Sequence, residues 1–103
     1  MVSYLITDTS SGIGLAMTSH LITLPASEVE YIFATATRES TALRTLARAS
    51  AGRIQFIQLD ITNEDSLNVA LAKIEHVLGE AGIDVLINNT GKTLVAPKSI
   101  SRM

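Results

Sequence analysis

Hydrophobic positions along the chain alternate between short continuous runs and longer stretches with the spacing of an α-helix. The short runs are rich in β-branched residues and predict four strands, at residues 2–7, 31–36, 53–60 and 83–89. The periodic stretches predict three helices, at residues 13–24, 40–49 and 62–78. Strands that alternate with helices in this way indicate an α/β fold with parallel strands and right-handed crossovers.

Local signals predict where the helices end. Pro25 follows the first periodic stretch and predicts its end, because proline cannot continue a helix. Thr62 stands where the third helix needs an N-cap, and Asp65 follows three residues later as in a capping box. Gly79 and Gly82 predict the end of that helix.

Composition narrows the classes of function. The chain has 103 residues, enough for one small domain. The formal net charge is −2 and basic residues are not clustered, which argues against nucleic-acid binding. Cysteine is absent, so disulfides and thiolate metal sites are excluded. The two histidines, His20 and His76, lack ligand spacing, and we expect exposed helix positions for them and no metal site.

The chain shows no membrane or export signal. No apolar stretch approaches the roughly 18 residues of a membrane span, and the first residues lack the basic start of a signal peptide. We therefore expect a soluble, cytoplasmic protein with neither a membrane nor a nucleic acid as partner.

A glycine-rich turn, SSGIG, joins the first predicted strand to the first predicted helix. A doubly wound sheet binds a nucleotide pyrophosphate at this position, because the N–H groups at a helix N-terminus are unpaired. Gly12 and Gly14, on either side of Ile13, would let the backbone approach both a phosphate and the neighbouring strand. Ser10 and Ser11 could contribute hydroxyl groups. An ordinary strand-to-helix turn, with glycine for tight packing, is the alternative interpretation.

The wider sequence, ITDTSSGIG, resembles the TGxxxGxG turn of the short-chain dehydrogenase/reductase family. Thr7, Gly12 and Gly14 match that motif, and Asp8 replaces its first glycine. Two further motifs occur in the family's order, each at the end of a predicted strand. The resemblance covers about residues 2–91.

The second and third motifs are LDIT and INNTG. Asp60 matches the family's aspartate after the third strand. Asn88, Asn89 and Gly91 match the family's NNAG motif after the fourth strand, with Thr90 in place of alanine. The resemblance implies that these residues belong to the cofactor-binding site.

The resemblance also implies individual roles. Asp60 would hold the adenine of a dinucleotide and Ile61 would line the adenine pocket. Asn88 and Asn89 would bind the ribose next to the nicotinamide. From the residues alone, Asp60 could cap the turn into the third helix, which is compatible with the adenine role. The two asparagines could simply form a turn that ends the strand.

Arg38 follows the second predicted strand. Members of the family that prefer NADP often place a basic residue there, and a guanidinium suits the 2′-phosphate. No acidic residue ends this strand, as an NAD-binding protein would need. The resemblance therefore implies NADP (NADPH) as the cofactor. Glu39 stands next to Arg38, and a solvated loop arginine is the alternative.

Asp8 is the main departure from the family pattern. An ionised carboxylate about 5 Å from a phosphate costs roughly 3 kcal/mol per phosphate charge at an effective dielectric near 20. Repulsion of that size would weaken cofactor binding on the order of a hundredfold. If the Asp8 side chain points to solvent, it matters little.

The implied fold is part of a Rossmann fold, with four parallel strands in the order 3-2-1-4 and three helices. Residues 1–91 would form a truncated dinucleotide-binding domain, and residues 92–103 a divergent tail. We expect the first two helices on one face of the sheet and the third on the other. The fourth strand would be an exposed edge, through which the chain could associate with itself or with another protein.

The family's catalytic serine and Tyr-x-x-x-Lys pair have no counterpart among these residues. Tyr4 and Tyr31 are followed four positions later by Asp8 and Thr35, not by lysine. We therefore expect the coenzyme-binding part of an NADP-dependent oxidoreductase of carbonyls or alcohols that is catalytically incompetent alone. A non-catalytic interaction module and an inactive gene remnant are the alternatives.

Overall fold

The computed structural model describes residues 2–10, 12–79 and 82–89. Within these residues four strands alternate with three helices. The strands are β1 (Val2–Ile6), β2 (Val29–Ala36), β3 (Ile54–Gln58) and β4 (Val85–Ile87). The helices are α1 (Gly12–Leu21), α2 (Thr41–Arg48) and α3 (Glu64–Leu78). Two predicted site residues, Ser11 and Gly91, and the predicted tail, 92–103, lie outside the described residues.

The four strands form one parallel sheet in the order β3-β2-β1-β4, which confirms the predicted fold class and strand order. In the register, Leu5 of β1 lies beside Phe33 of β2 on one side and Leu86 of β4 on the other. All carboxyl ends of parallel strands meet at one edge of the sheet. The loops that follow β1, β2, β3 and β4 therefore lie at the same edge.

Two hydrophobic clusters cover the two faces of the sheet, because successive strand residues point in opposite directions. Leu5 and Phe33 face the α3 side, where they pack with Leu67 and Ile74 of that helix. On the other side of the sheet, residues of α1 and α2 complete the second cluster, which includes Ile6. The predicted placement of the helices, two on one face and one on the other, is confirmed.

Helix α1 ends at Leu21, three residues before the predicted end. The backbone hydrogen bonds change there from the i→i−4 pattern of an α-helix to the i→i−3 pattern of a 3₁₀ turn. The N–H of Leu24 donates to the carbonyl of Leu21 at 3.1 Å. Pro25 disfavours helical geometry in the residue before it, which explains why the last turn tightens. Pro25 therefore marks the end of the turn rather than the end of the helix.

The predicted N-cap of α3 is wrong by one residue. Asn63 is the N-cap, and its side-chain oxygen accepts a hydrogen bond from the N–H of Ser66 at 3.0 Å. Thr62 is engaged elsewhere, because its hydroxyl donates to Asp60 Oδ1 at 2.6 Å.

Strand β4 pairs with β1 and, within the part of the chain that the structure describes, lies at the edge of the sheet. No helix among the described residues has the length and apolar character needed to cross a membrane.

Candidate functional site

Thr7 joins the carboxyl ends of β1 and β4. Its side chain is fully buried. The Thr7 hydroxyl accepts a hydrogen bond from the N–H of Asn89 at 2.8 Å and donates to Asn88 Oδ1 at 3.2 Å. The N–H of Thr7 also donates to the carbonyl of Ile87 at 3.0 Å. The structure thus brings Thr7, the first residue of the glycine-rich motif, into contact with both asparagines of the INNTG motif.

Gly14 allows this junction to close. A methyl group at Gly14 would lie about 3.0 Å from Asn89 Nδ2 and even closer to the carbonyl of Asp8. Real Cβ atoms do not tolerate such contacts with backbone, so only glycine fits without a shift of the turn. Gly14 therefore allows close packing between the turn and the segment that follows β4, in line with the close approach to a neighbouring strand expected for it.

Gly12 is the first residue of α1, and its backbone conformation rather than close packing favours glycine. Its φ of +59° lies in the left-handed region, yet a methyl group there would meet nothing within 4 Å. The N–H groups of Gly12, Ile13 and Gly14 make no hydrogen bond to a described residue outside the helix. Ile13 is 70% exposed. The start of α1 therefore combines open space beside Gly12 with N–H groups that no described residue outside the helix accepts from, and an anion site needs both features.

Asp8 occupies the turn between β1 and α1 with a φ of +55°. Aspartate is among the few residues other than glycine that adopt this left-handed conformation with some frequency. Its side chain is exposed. The left-handed backbone thus gives a second reason, besides charge, for glycine at this position of the family's motif. Aspartate also adopts this conformation, but less readily than glycine.

A second link joins the glycine-rich turn to the carboxyl end of β2. The Ser10 hydroxyl donates a hydrogen bond to the carbonyl of Arg38. Beneath it, the N–H and the hydroxyl of Thr9 both donate to the carbonyl of Thr35, at 3.1 Å each. Arg38 itself is exposed. The predicted 2′-phosphate residue and the predicted pyrophosphate turn are therefore adjacent.

Glu39 is held by the helix that follows it. Arg44 Nε of α2 donates to Glu39 Oε1 at 3.3 Å, and both side chains are partly exposed, 53% for Arg44 and 24% for Glu39. Ser40, between Glu39 and the helix, is the N-cap of α2 and accepts a hydrogen bond from the N–H of Leu43 at 3.1 Å.

Asp60 acts as a cap in the loop after β3. Its Oδ1 accepts hydrogen bonds from the N–H of Thr62 at 3.0 Å and from the Thr62 hydroxyl at 2.6 Å. The N–H of Asp60 donates to the Ser66 hydroxyl at 3.0 Å. The capping alternative for Asp60 therefore describes its observed contacts. An open groove of about 470 Å³ runs past Asp60, between Thr37 and Lys73.

Ile61 has only 6% of its surface exposed and belongs to the hydrophobic cluster beneath α3. The core therefore takes nearly all of the Ile61 side-chain surface, and the adenine-pocket role of Ile61 stays a prediction.

Sequence reasoning missed Thr9 and Thr35, two buried hydroxyl residues beneath the site. The Thr35 hydroxyl donates to the carbonyl of Ile6 at 3.0 Å, and the Thr9 hydroxyl donates to the carbonyl of Thr35. Both side chains are at most 1% exposed. Threonine at or after the end of a buried strand was the available signal, since a buried hydroxyl must find a partner.

Chemically, this edge of the sheet offers the N–H groups at the start of α1, the amide side chains of Asn88 and Asn89, and the guanidinium of Arg38. Tyr4 and Tyr31 both lie within strands, β1 and β2, away from these loops. The described residues therefore support binding of a phosphate-containing ligand and place no phenol at the site.

Comparison with solved structures gives the same architecture. The carbonyl reductase Sniffer of D. melanogaster shares 34% identity, with a TM-score of 0.77, over 95% of this chain and 38% of that one. A carbonyl reductase from Pseudomonas aeruginosa PAO1 in complex with NADP shares 33% identity, with a TM-score of 0.68, over 89% of this chain and 39% of that one. NADPH-bound carbonyl reductase from chicken fatty liver shares 27% identity, with a TM-score of 0.71, over 93% of this chain and 36% of that one. This chain therefore spans well under half the length of these three proteins.

The family model described as short chain dehydrogenase matches residues 3–102. The match includes most of the segment predicted to be a divergent tail, and the boundary at residue 91 stays a prediction. Because the match extends over nearly the whole sequence and agrees with the structural neighbours, the chain belongs to the short-chain dehydrogenase family.

Proposed function

We propose that this chain forms the coenzyme-binding part of an NADP-dependent oxidoreductase that acts on carbonyls or alcohols. The observation that carries this proposal is the hydrogen-bonded convergence of three loops at one edge of the sheet. Thr7 links the glycine-rich turn to Asn88 and Asn89, and Ser10 links the same turn to Arg38. Ligands of open α/β sheets bind at this edge.

The residues present fit such a cofactor. The open space and unpaired N–H groups at Gly12 suit the pyrophosphate, and Arg38 suits the 2′-phosphate. Asn88 and Asn89 would bind the nicotinamide-side ribose, Asp60 the adenine. When bound, the nicotinamide supplies or accepts a hydride. The chain's own contribution is to bind and orient the cofactor.

We further propose that the 103 residues do not catalyse the reaction alone. In none of them does a tyrosine stand four positions before a lysine. Loss of a general acid commonly lowers a rate by about 10²- to 10⁴-fold. Turnover of any member of a carbonyl panel by the purified chain, with consumption of NADPH, would overturn this part of the proposal.

Calorimetric titration with NADPH tests the binding proposal. The chain itself and the Asp8→Gly variant are titrated in parallel. We expect binding in the variant, on the order of a hundredfold tighter than in the unmodified chain if the Asp8 carboxylate repels the pyrophosphate. Absence of NADPH binding in both forms would remove the proposal.

A second candidate function, an interaction module, is favoured by an apolar surface beside β4. A groove of about 380 Å³ lies between α1 and β4, lined by Ile13, Ala16, Met17, His20, Leu21 and Ile87. Ile87 belongs to β4, the strand at the edge of the sheet among the described residues, and exposed strand edges are templates for pairing with another chain. We propose that this surface, which we call the α1–β4 surface, can dock on another protein of the same family.

Sedimentation velocity distinguishes this candidate from a lone nucleotide-binding protein. The chain is measured alone and mixed with full-length D. melanogaster carbonyl reductase. Docking predicts a heavier species that Ile13→Glu abolishes and that Ala42→Glu, at an exposed position of α2, leaves intact. A monomer in both samples would exclude the interaction module.

A further inference from the structure

We infer that Arg44 is a positioning residue for cofactor selection, which acts by holding the Glu39 carboxylate away from the 2′-phosphate of NADPH. This inference rests on the proposed function. It concerns a residue of α2 that none of the sequence motifs includes. Arg44 and Glu39 form the single ion pair between side chains found among the described residues.

The first step of the argument is the position of Glu39. It follows Arg38 directly, and the Ser10 hydroxyl fixes the carbonyl of Arg38 against the glycine-rich turn. A carboxylate at this point can weaken binding of the 2′-phosphate in two ways. It can pair with the Arg38 guanidinium, which removes the group that would bind the phosphate. It can also remain free beside the phosphate and repel it.

The second step is the contact that removes both options. Arg44 Nε donates to Glu39 Oε1 at 3.3 Å, which commits the carboxylate to the side of α2. Arg38 takes part in no ion pair with a described residue, so its guanidinium is left for a ligand. The N-cap bond from the N–H of Leu43 to the Ser40 hydroxyl fixes the start of α2, and Arg44 is the residue after Leu43.

The third step is the size of the effect. An exposed ion pair contributes little to folding stability. Its loss changes the folding equilibrium constant by no more than about fivefold. Stability measurements would therefore barely register the loss of Arg44. The effect on binding should be selective, because NADH has no 2′-phosphate for Glu39 to repel. The ratio of NADPH to NADH affinity is the informative quantity.

The test uses NADPH and NADH as calorimetric probes in whichever background binds, the unmodified chain or Asp8→Gly. We expect Arg44→Gln to weaken NADPH about fivefold and to change NADH by less than about twofold. The matched control is Arg48→Gln, which removes the same charge from the next turn of α2 and should leave the ratio nearly unchanged. Circular dichroism confirms that each variant is folded.

The double variant Glu39→Gln/Arg44→Gln separates positioning from direct phosphate binding. If Arg44 acts through Glu39, the double variant regains NADPH affinity to within about twofold of the background. If the double variant stays as weak as Arg44→Gln, or if Arg48→Gln has an equal effect, the inference is overturned while the binding proposal stands. No binding of either nucleotide in both backgrounds overturns the inference and the proposed function together.

Discussion

The hydroxyl of Thr7 accepts a hydrogen bond from the backbone N–H of Asn89 at 2.8 Å, across 82 positions of sequence. This bond fixes the end of β4 to the end of β1 at the edge where the glycine-rich turn begins. Because Thr7 also donates to Asn88 Oδ1, one side chain sets the positions of both asparagines. The geometry of the candidate site therefore depends on a residue whose side chain is fully buried.

Thr7→Val should lower both stability and NADPH affinity. Valine keeps the shape but leaves the Asn89 N–H without its acceptor. An unsatisfied buried donor costs about 1–3 kcal/mol, and the partial burial of this bond places the expected loss at the lower end of that range. Chemical denaturation measures the loss. Thr45→Val, which removes an exposed hydroxyl bonded to the carbonyl of Thr41, is the control and should change stability by less than about 0.5 kcal/mol. Equal stability of the two variants would show that the bond to Asn89 contributes nothing.

Gly14→Ala should be more damaging than Gly12→Ala. The added methyl at Gly14 would collide with the carbonyl of Asp8 and approach Asn89 Nδ2 to about 3.0 Å, so the turn must move. Overpacking of this kind costs about 1–3 kcal/mol. At Gly12 the methyl enters open space, and only the φ of +59° penalises it, by about 1–2 kcal/mol.

Binding separates these two glycine variants more sharply than stability does. A displaced turn in Gly14→Ala would disturb both Asp8 and Asn89, whereas Gly12→Ala adds bulk only where a phosphate would approach. We expect NADPH binding to be lost in both variants, and thermal unfolding at a lower temperature in Gly14→Ala than in Gly12→Ala, which itself unfolds below the unmodified chain. A Gly14→Ala variant as stable as the unmodified chain would contradict the close packing described for this turn.

The strand and helix pattern was predictable because each element buries a periodic hydrophobic face. All seven elements follow from that periodicity, whereas the strand order and the placement of the helices on the two faces followed from the resemblance to the family. The ends were less predictable, since they depend on competition between local hydrogen bonds. Thr62 has the sequence of an N-cap, but the Asp60 carboxylate binds its hydroxyl and Asn63 takes its place.

The convergence of the three loops was predictable in outline, because parallel strands place their carboxyl ends together. The individual contacts were not. The Glu39–Arg44 pair and the Ser10–Arg38 bond depend on the course of the backbone between strand and helix, which no local pattern specifies. Ile61 shows the same limit, since a motif match does not reveal which way a side chain points.

Arg53 is a structural residue that no sequence signal indicated. Its Nη2 donates to the carbonyls of Leu24 and Val29 at 2.7 Å each, and so ties the segment between α1 and β2 to the start of β3. Its Nε is buried without a hydrogen-bond partner among the described residues. The charge is therefore committed to backbone carbonyls rather than to a ligand.

Arg53→Met should destabilise the chain, because methionine keeps much of the apolar stem but removes the donor to the carbonyls of Leu24 and Val29 and the longer bond, 3.5 Å, to the carbonyl of Ile22. The expected loss is about 2–4 kcal/mol, since hydrogen bonds to charged groups contribute about 1.5–3 kcal/mol each and some carbonyls will regain water. Denaturant unfolding measures it, with Arg48→Met at an exposed position of α2 as control. NADPH affinity of the folded fraction should not change, and a selective loss of affinity would argue for a role at the site.

Asp8→Asn and Asp8→Gly separate the two effects of this residue, its charge and its left-handed backbone. Asparagine tolerates a positive φ about as well as aspartate, so Asp8→Asn should change stability by less than about 0.5 kcal/mol. Glycine relieves the φ of +55° and should raise the free energy of unfolding by about 1 kcal/mol. If charge repulsion limits cofactor binding, both variants tighten NADPH to a similar extent and added salt reduces the difference from the unmodified chain. Tightening in Asp8→Gly alone would instead assign the effect to the backbone, and the repulsion argument for Asp8 would be wrong.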